Sequence, residues 1–131
     1  MASTFKLPLV AAVLSRVDVA EVSLEQTVSF GERDMLSYAP VASRHLPDGV
    51  MSVRTLCAAA VEVSDNVAAN LLLRLIGGPA GLTRFLRDLG DDVTRLDRIE
   101  PELNSNEPGD VRDTTSALAM VNTMNALLVE A

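Results

Sequence analysis

The chain has 131 residues, of which 48% are hydrophobic and 22% charged, and its formal net charge is −7. That is the length of one domain with ample apolar material for a core, which excludes a disordered chain. An acidic surface is a poor match for nucleic-acid phosphates, and no apolar stretch reaches the roughly 18 residues of a membrane span.

Aromatic residues make up 3% of the chain and Trp is absent, so the expected core is aliphatic. A single cysteine, Cys57, excludes an intramolecular disulfide and a cysteine-rich zinc site, and a single histidine, His45, excludes an HExxH metal site. No metal and no cofactor is expected. Cys57 lies in the apolar run LCAAAVEV and reads as a buried small hydrophobe, while His45 lies in the polar segment ASRHLPDG and reads as a surface residue near a turn.

Residues 3–16 place Phe5, Leu9, Ala12 and Val13 at helical spacing, with Ser3 as N-cap or first-turn residue. Pro8 removes one intrahelical bond near Thr4, which predicts a local distortion. Residues 18–39 read as loop with a short strand at Thr27–Phe30, and Pro47–Met51 as a turn. Ser52 caps a helix through Val61; Ser64 and Asp65 start another, which Gly77 and Gly78 stop. Pro79 opens the next, where Leu82, Phe85, Leu86 and Leu89 form an amphipathic stripe up to Gly90.

Residues 91–113 carry no long apolar period but two prolines and several acids. A loop longer than about 15 residues in so short a chain is usually functional or disordered. Thr114 or Thr115 then caps a last helix with Leu118, Val121, Met124 or Asn125, and Leu128 along it. Periodicity therefore gives a mainly α domain with one long loop, and no function.

Three short motifs carry chemistry. Ser3-Thr4-Phe5-Lys6 is S-x-x-K, which puts a hydroxyl and an amine one helical turn apart. A serine in a first helical turn also has free backbone N–H groups beside it, suited to a developing oxyanion. Alone, the motif reads as a capping serine with a solvent-facing lysine. Lys6 is nevertheless the one lysine among eleven cationic residues, and lysine, unlike arginine, can act as a base when its pKa is lowered. Ser64-Asp65-Asn66 offers either an N-cap or a hydroxyl relay with an orienting amide. Glu100 followed four residues on by Asn104 can hold one water between carboxylate and amide, which is general-base geometry, or it is an acidic solvated loop. An Arg98–Asp113 pair would staple the loop that contains them.

In this order, STFK, SDN, RIEPELN and RDTT resemble the class A serine β-lactamases, and YAPV around Tyr38, DGVMSVRTLCAAA and GGPAGLTRFL extend the likeness over most of the chain. The resemblance implies roles for single residues. Ser3 is the nucleophile that opens the β-lactam ring, Lys6 assists its deprotonation and Ser64 relays a proton to the leaving nitrogen. Asn66 contacts the substrate side chain, Tyr38 walls the substrate entrance, and Glu100 with Asn104 holds the hydrolytic water. Val10 stands where some relatives carry the disulfide partner of Cys57.

The same resemblance implies the helical domain of the β-lactamase/penicillin-binding α/β fold, with the β-sheet domain and its K-T-G strand missing from this chain. Residues 1–131 are then a partial domain truncated at both ends, with the omega loop at about 98–113. The implied activity of the parent is β-lactam hydrolysis, with the isolated fragment inactive. The implied partners are a β-lactam and a hydrolytic water, with no nucleic acid and no membrane span, and the parent is a periplasmic or secreted monomer. The start MASTFKLPLVAAVLSRVD lacks the basic opening of a signal peptide, since Lys6 lies inside the apolar run. Two other readings remain: a penicillin-binding or sensor domain acylated without turnover, and a helical interaction module.

Overall fold

The computed structural model describes residues 1–105 and 107–129; Asn106, within the predicted loop, and the last two residues lie outside it. A 3₁₀ turn, Ala2–Phe5, runs directly into helix α1, Lys6–Asp18. Ser3 is therefore a first-turn residue, with Met1 at the capping position. Pro8 falls in the first turn of α1, where its missing N–H costs least, and the tighter winding beside Thr4 is the expected distortion.

Strand β1, Thr27–Ser29, pairs antiparallel with β2, Val50–Ser52, and Phe30 extends the pairing by donating its N–H to the Gly49 carbonyl at 2.9 Å. Between them lies the short helix α2, Ala42–His45. The segment read as a turn up to Met51 is thus shorter: Gly49, at φ +71°, completes the reversal, and Val50 and Met51 already belong to the strand. Strand pairing with a segment some twenty residues away decides this, which a local reading cannot sense.

Helix α3, Val53–Glu62, is capped by Ser52, whose Oγ accepts the Thr55 N–H at 3.1 Å. Helix α4, Asn66–Leu75, is capped by Asp65, whose Oδ1 accepts the Ala68 N–H at 2.9 Å. Helix α5, Gly78–Asp88, carries Pro79 in its first turn. It ends in a Schellman arrangement at Gly90, φ +93°: Gly90 N–H bonds Arg87 O and Asp91 N–H bonds Leu86 O, both at 3.0 Å.

Helix α6, Ala117–Leu128, is capped by Ser116 rather than by Thr114 or Thr115. The threonines are engaged elsewhere: Thr114 O accepts the Arg95 N–H at 2.9 Å, and the Thr115 hydroxyl pairs with that of Thr94 at 2.6 Å.

The core lies between α1 and the helices α3, α4 and α5, with α6 also against α1. Phe5, Leu9, Ala12 and Val13 are all buried, and so is every residue of α4 from Val67 to Leu73. On α5, Leu82 and Leu86 are buried, whereas Leu89 is 37% exposed. Gly81 meets the end of α4 so closely that a Cβ would fall 1.7 Å from Ile76 O. Cys57 is buried and unpaired, and His45 is half-buried at the end of α2.

One predicted face is reversed. Leu118, Val121 and Leu128 on α6 are 70%, 64% and 66% exposed, while Ala119 and Thr123 turn inward. A polar contact orients this helix: the Thr123 hydroxyl donates to the buried Asp91 carboxylate at 2.7 Å. No helix among the described residues is long and apolar enough to cross a membrane.

Candidate active site

Two helix beginnings meet at Lys6. Its side chain is 3% exposed, and its ammonium donates to Ser3 Oγ at 3.2 Å, Ser64 Oγ at 2.8 Å, Ser64 O at 2.9 Å and Asn66 Oδ1 at 2.7 Å. Ser64 Oγ in turn donates to Ser3 Oγ at 2.9 Å. Ser3, Lys6 and Ser64 therefore form a closed triangle of hydroxyl, amine and hydroxyl. The S-x-x-K spacing delivers the first side through one helical turn, and the packing of α1 on α4 delivers the other two. Ser64 adopts a left-handed backbone, φ +57°, with its carbonyl and its hydroxyl both accepting from Lys6. Burial pushes the Lys6 pKa below its ordinary value, opposed by the nearby carboxylates of Glu100 and Asp65.

Asp65 does more than cap α4. It is fully buried, and its Oδ2 accepts the N–H groups of Val41 and Ala42 at 2.9 Å each, fixing the segment that carries Tyr38. Tyr38 keeps 51% of its surface exposed and donates its hydroxyl to Val63 O at 2.8 Å, beside the serine motif.

Glu100 approaches from the long loop. It is 2% exposed, and its Oε1 lies 3.9 Å from Lys6 Nζ. Its Oε2 accepts from Asn104 Nδ2 at 2.8 Å across the 3₁₀ turn Glu102–Asn104. The backbone of Glu100 is clamped on both sides by one side chain. Asn70 Nδ2 donates to Glu100 O at 3.0 Å, and Glu100 N–H donates to Asn70 Oδ1 at 2.9 Å. Sequence reasoning missed Asn70. Its signal was a lone amide inside the apolar run VAANLLLRLI, a polar group that burial obliges to find partners.

Arg98 and Asp113 are paired through Arg98 Nε and Asp113 Oδ2, and Arg98 Nη2 reaches Ser105 O at 3.0 Å. The fully buried Asp113 side chain also takes the N–H groups of Asp97 and Arg98, at 2.7 and 2.9 Å. Asp97 returns the contact by accepting the Asp113 N–H at 3.0 Å, a partner the sequence did not suggest. Asp113 itself is left-handed, φ +57°.

The seven residues Ser3, Lys6, Tyr38, Ser64, Asn66, Glu100 and Asn104 thus connect through direct contacts or one intervening residue, with Arg98 and Asp113 behind Glu100. The fold is thus a helical domain in which a buried lysine joins two serines and faces the carboxylate of a residue whose backbone is clamped. Comparison with known proteins makes this particular. Residues 1–131 match the model of the beta-lactamase enzyme family. The ancestral class A β-lactamase of the last common ancestor of Gram-negative bacteria is 54% identical, with a TM-score of 0.96, over 100% of this chain and 50% of that one. A β-lactamase from Xanthomonas campestris is 53% identical, TM-score 0.95, over 98% of this chain and 48% of its own. A putative class A β-lactamase from Rhodopseudomonas palustris is 51% identical, TM-score 0.95, over 98% and 49%. The chain belongs to the beta-lactamase enzyme family and has the helical-domain fold of its class A members. It spans about half the length of these relatives.

Proposed function

We propose that residues 1–131 are the helical part of a longer class A serine β-lactamase, and that the whole protein hydrolyses β-lactams through an acyl-enzyme on Ser3. The observation that carries this reading is the convergence of Ser3, Lys6, Ser64 and Glu100 from two helix starts and one loop.

The chemistry follows from the groups in place. Lys6, its pKa lowered by burial, or Glu100 accepts the Ser3 proton, and Ser3 Oγ attacks the β-lactam carbonyl carbon. As the ring C–N bond breaks, the nitrogen takes a proton through Ser64. Ester formation on Ser3 ends the first half. Glu100, with Asn104 beside it, then removes a proton from a water that attacks the ester carbonyl, and the hydroxyl of Ser3 is restored. Asn66 offers its amide to the substrate side chain, and the exposed ring of Tyr38 borders the entrance. A sheet strand with the K-T-G motif, which this chain does not contain, would complete the oxyanion hole and hold the substrate carboxylate. The 131-residue chain alone is accordingly expected to hydrolyse β-lactams negligibly, since one lost oxyanion donor costs roughly 10²–10³ in rate. As a periplasmic or secreted enzyme, the full-length protein acts as a monomer on antibiotic outside the cytoplasm.

Labelled penicillin tests the reading on the full-length protein. A short-lived adduct that disappears in Ser3→Ala is the expected result. An adduct that persists for hours in the wild type points to a penicillin-binding sensor, and no adduct at all points to a non-enzymatic module.

A further inference from the structure

The segment bearing Glu100 is laced at its stem by a succession of polar contacts that begin far from the site. Asp91, 7% exposed, takes the N–H groups of Val93 and Thr94 on Oδ1, at 3.0 and 2.9 Å. Its Oδ2 takes the hydroxyl of Thr123, itself 2% exposed, from α6 at 2.7 Å. The next rung is the Thr94–Thr115 hydroxyl pair at 2.6 Å, then Arg95 N–H to Thr114 O at 2.9 Å. Arg98 and Asp97 on Asp113 follow, and Glu100 stands two residues beyond. From α5, Arg87 Nη1 grips Asp91 O and Thr94 O at 2.7 and 2.6 Å, so one side of the stem is fixed to that helix. The Asp91–Thr123 contact fixes the stem to α6. The same helix buries Thr123 and leaves Leu118, Val121 and Leu128 exposed.

We propose that Asp91 and Thr123 are positioning residues for the hydrolytic half of the reaction: they set the stem of the loop against α6 and, through its rungs, the placement of the Glu100 carboxylate. This rests on the reading of Glu100 as the base that activates water. On this reading Lys6, not Glu100, is the base for Ser3: Ser3, Lys6 and Ser64 are bonded to one another, so formation of the acyl-enzyme does not use the carboxylate that this contact places. The inference therefore predicts a split between the two chemical steps, which a general loss of stability would not produce.

The experiment uses the full-length protein with Thr123→Val, which keeps the shape and removes the donor, and Thr123→Ser, which keeps the donor. Rapid-mixing kinetics on a chromogenic cephalosporin are expected to show deacylation slowed about tenfold in Thr123→Val, with acylation within about twofold of wild type. Thr123→Ser restores deacylation to within about twofold. An equal fall in both steps, or no change in either, overturns the proposal. Should Thr123→Val fail to fold, Asp91→Asn is read for the same ratio. A wild type that never acylates refutes the proposed function instead. The positioning is then judged by hydrogen exchange: the Glu100 and Asn104 amides exchange faster in Thr123→Val but not in Thr123→Ser, and equal exchange in all three overturns it.

Discussion

Ser3, Lys6 and Ser64 reach one another from the starts of two core helices, whereas Glu100 is carried by a segment with little regular structure. The first region is underlain by apolar packing: Phe5 just before α1, Leu9 and Val13 on it, and Val67, Leu71 and Leu72 on α4 are at most 1% exposed. The second is held by side chains bonded to backbone, Asn70 on Glu100 and Asp113 on Asp97 and Arg98. Packing energy is spread over many weak contacts, so volume-conserving apolar swaps cost little, although truncating a core side chain costs about 2–5 kcal/mol. A buried polar staple concentrates its effect in two or three bonds, and losing one partner strands the other. The apolar residues under the nucleophile are therefore expected to tolerate volume-conserving swaps, and the polar staples behind the carboxylate to fail sharply on loss of one partner.

The largest contrast compares the two chemical groups in the full-length protein. Ser3→Ala removes the atom that would be acylated, so no adduct forms and turnover falls roughly 10⁴-fold or more. Glu100→Ala leaves the triangle at Lys6 in place. Labelled penicillin then still attaches, turnover drops by roughly 10²–10⁴, and the adduct accumulates. Absence of adduct in Glu100→Ala would show that Glu100, rather than Lys6, is needed for the first step, and the contrast would collapse.

Asp113→Asn is expected to cost about 3 kcal/mol, because the Arg98 guanidinium loses its charged partner within a largely buried site. Chemical denaturation measures the loss, and limited proteolysis between residues 98 and 113 should quicken. Unchanged cleavage of the loop would mean that the Arg98–Asp113 pair does not hold it.

Asn70→Leu sharpens the comparison further, since Asn70 stands on a packed helix but serves the loop. It strands the buried N–H and C=O of Glu100 for about 1–3 kcal/mol, and should slow deacylation more than acylation. A uniform slowing of both steps would assign Asn70 to the packed region instead.

The smallest effect is one of pH. Burial lowers the pKa of Lys6 below its ordinary value of 10.5, so between the two values the unfolded chain binds more protons than the folded one. Stability contributed by this group therefore rises with pH through that window and is penalised below it. Lys6→Met should flatten the rise. Equal pH slopes just below 10.5 for wild type and variant would show that Lys6 stays charged in the fold.

Much of the packed region was legible in the chain. Ser52 and Asp65 cap where their types favour capping, Gly90 ends α5 through a left-handed turn, and the period of Phe5, Leu9 and Val13 faces the core. The loop was legible only as a gap in periodicity with motif residues inside it. Apart from the Arg98–Asp113 pair, its bonding was not, because Asn70 and Glu100 are thirty residues apart and no local pattern couples an amide in one element to a backbone in another. The last helix misled for a related reason. Its Leu118–Val121–Leu128 spacing is a valid apolar stripe, but among the described residues that stripe stays exposed, while Thr123 on the opposite side donates to the buried Asp91.

By itself the sequence determined the helical class, most helix ends and the ordered motifs that carry the family, since caps, periods and i, i+3 spacing act within a few residues of themselves. Only the tertiary structure decided that Lys6 bridges two serines, that Asn70 clamps Glu100 and that α6 turns a threonine inward. Each of these joins groups from separate elements, and what selects them is the cost of leaving a buried charge or amide without a partner, which exists only once the chain has closed around it.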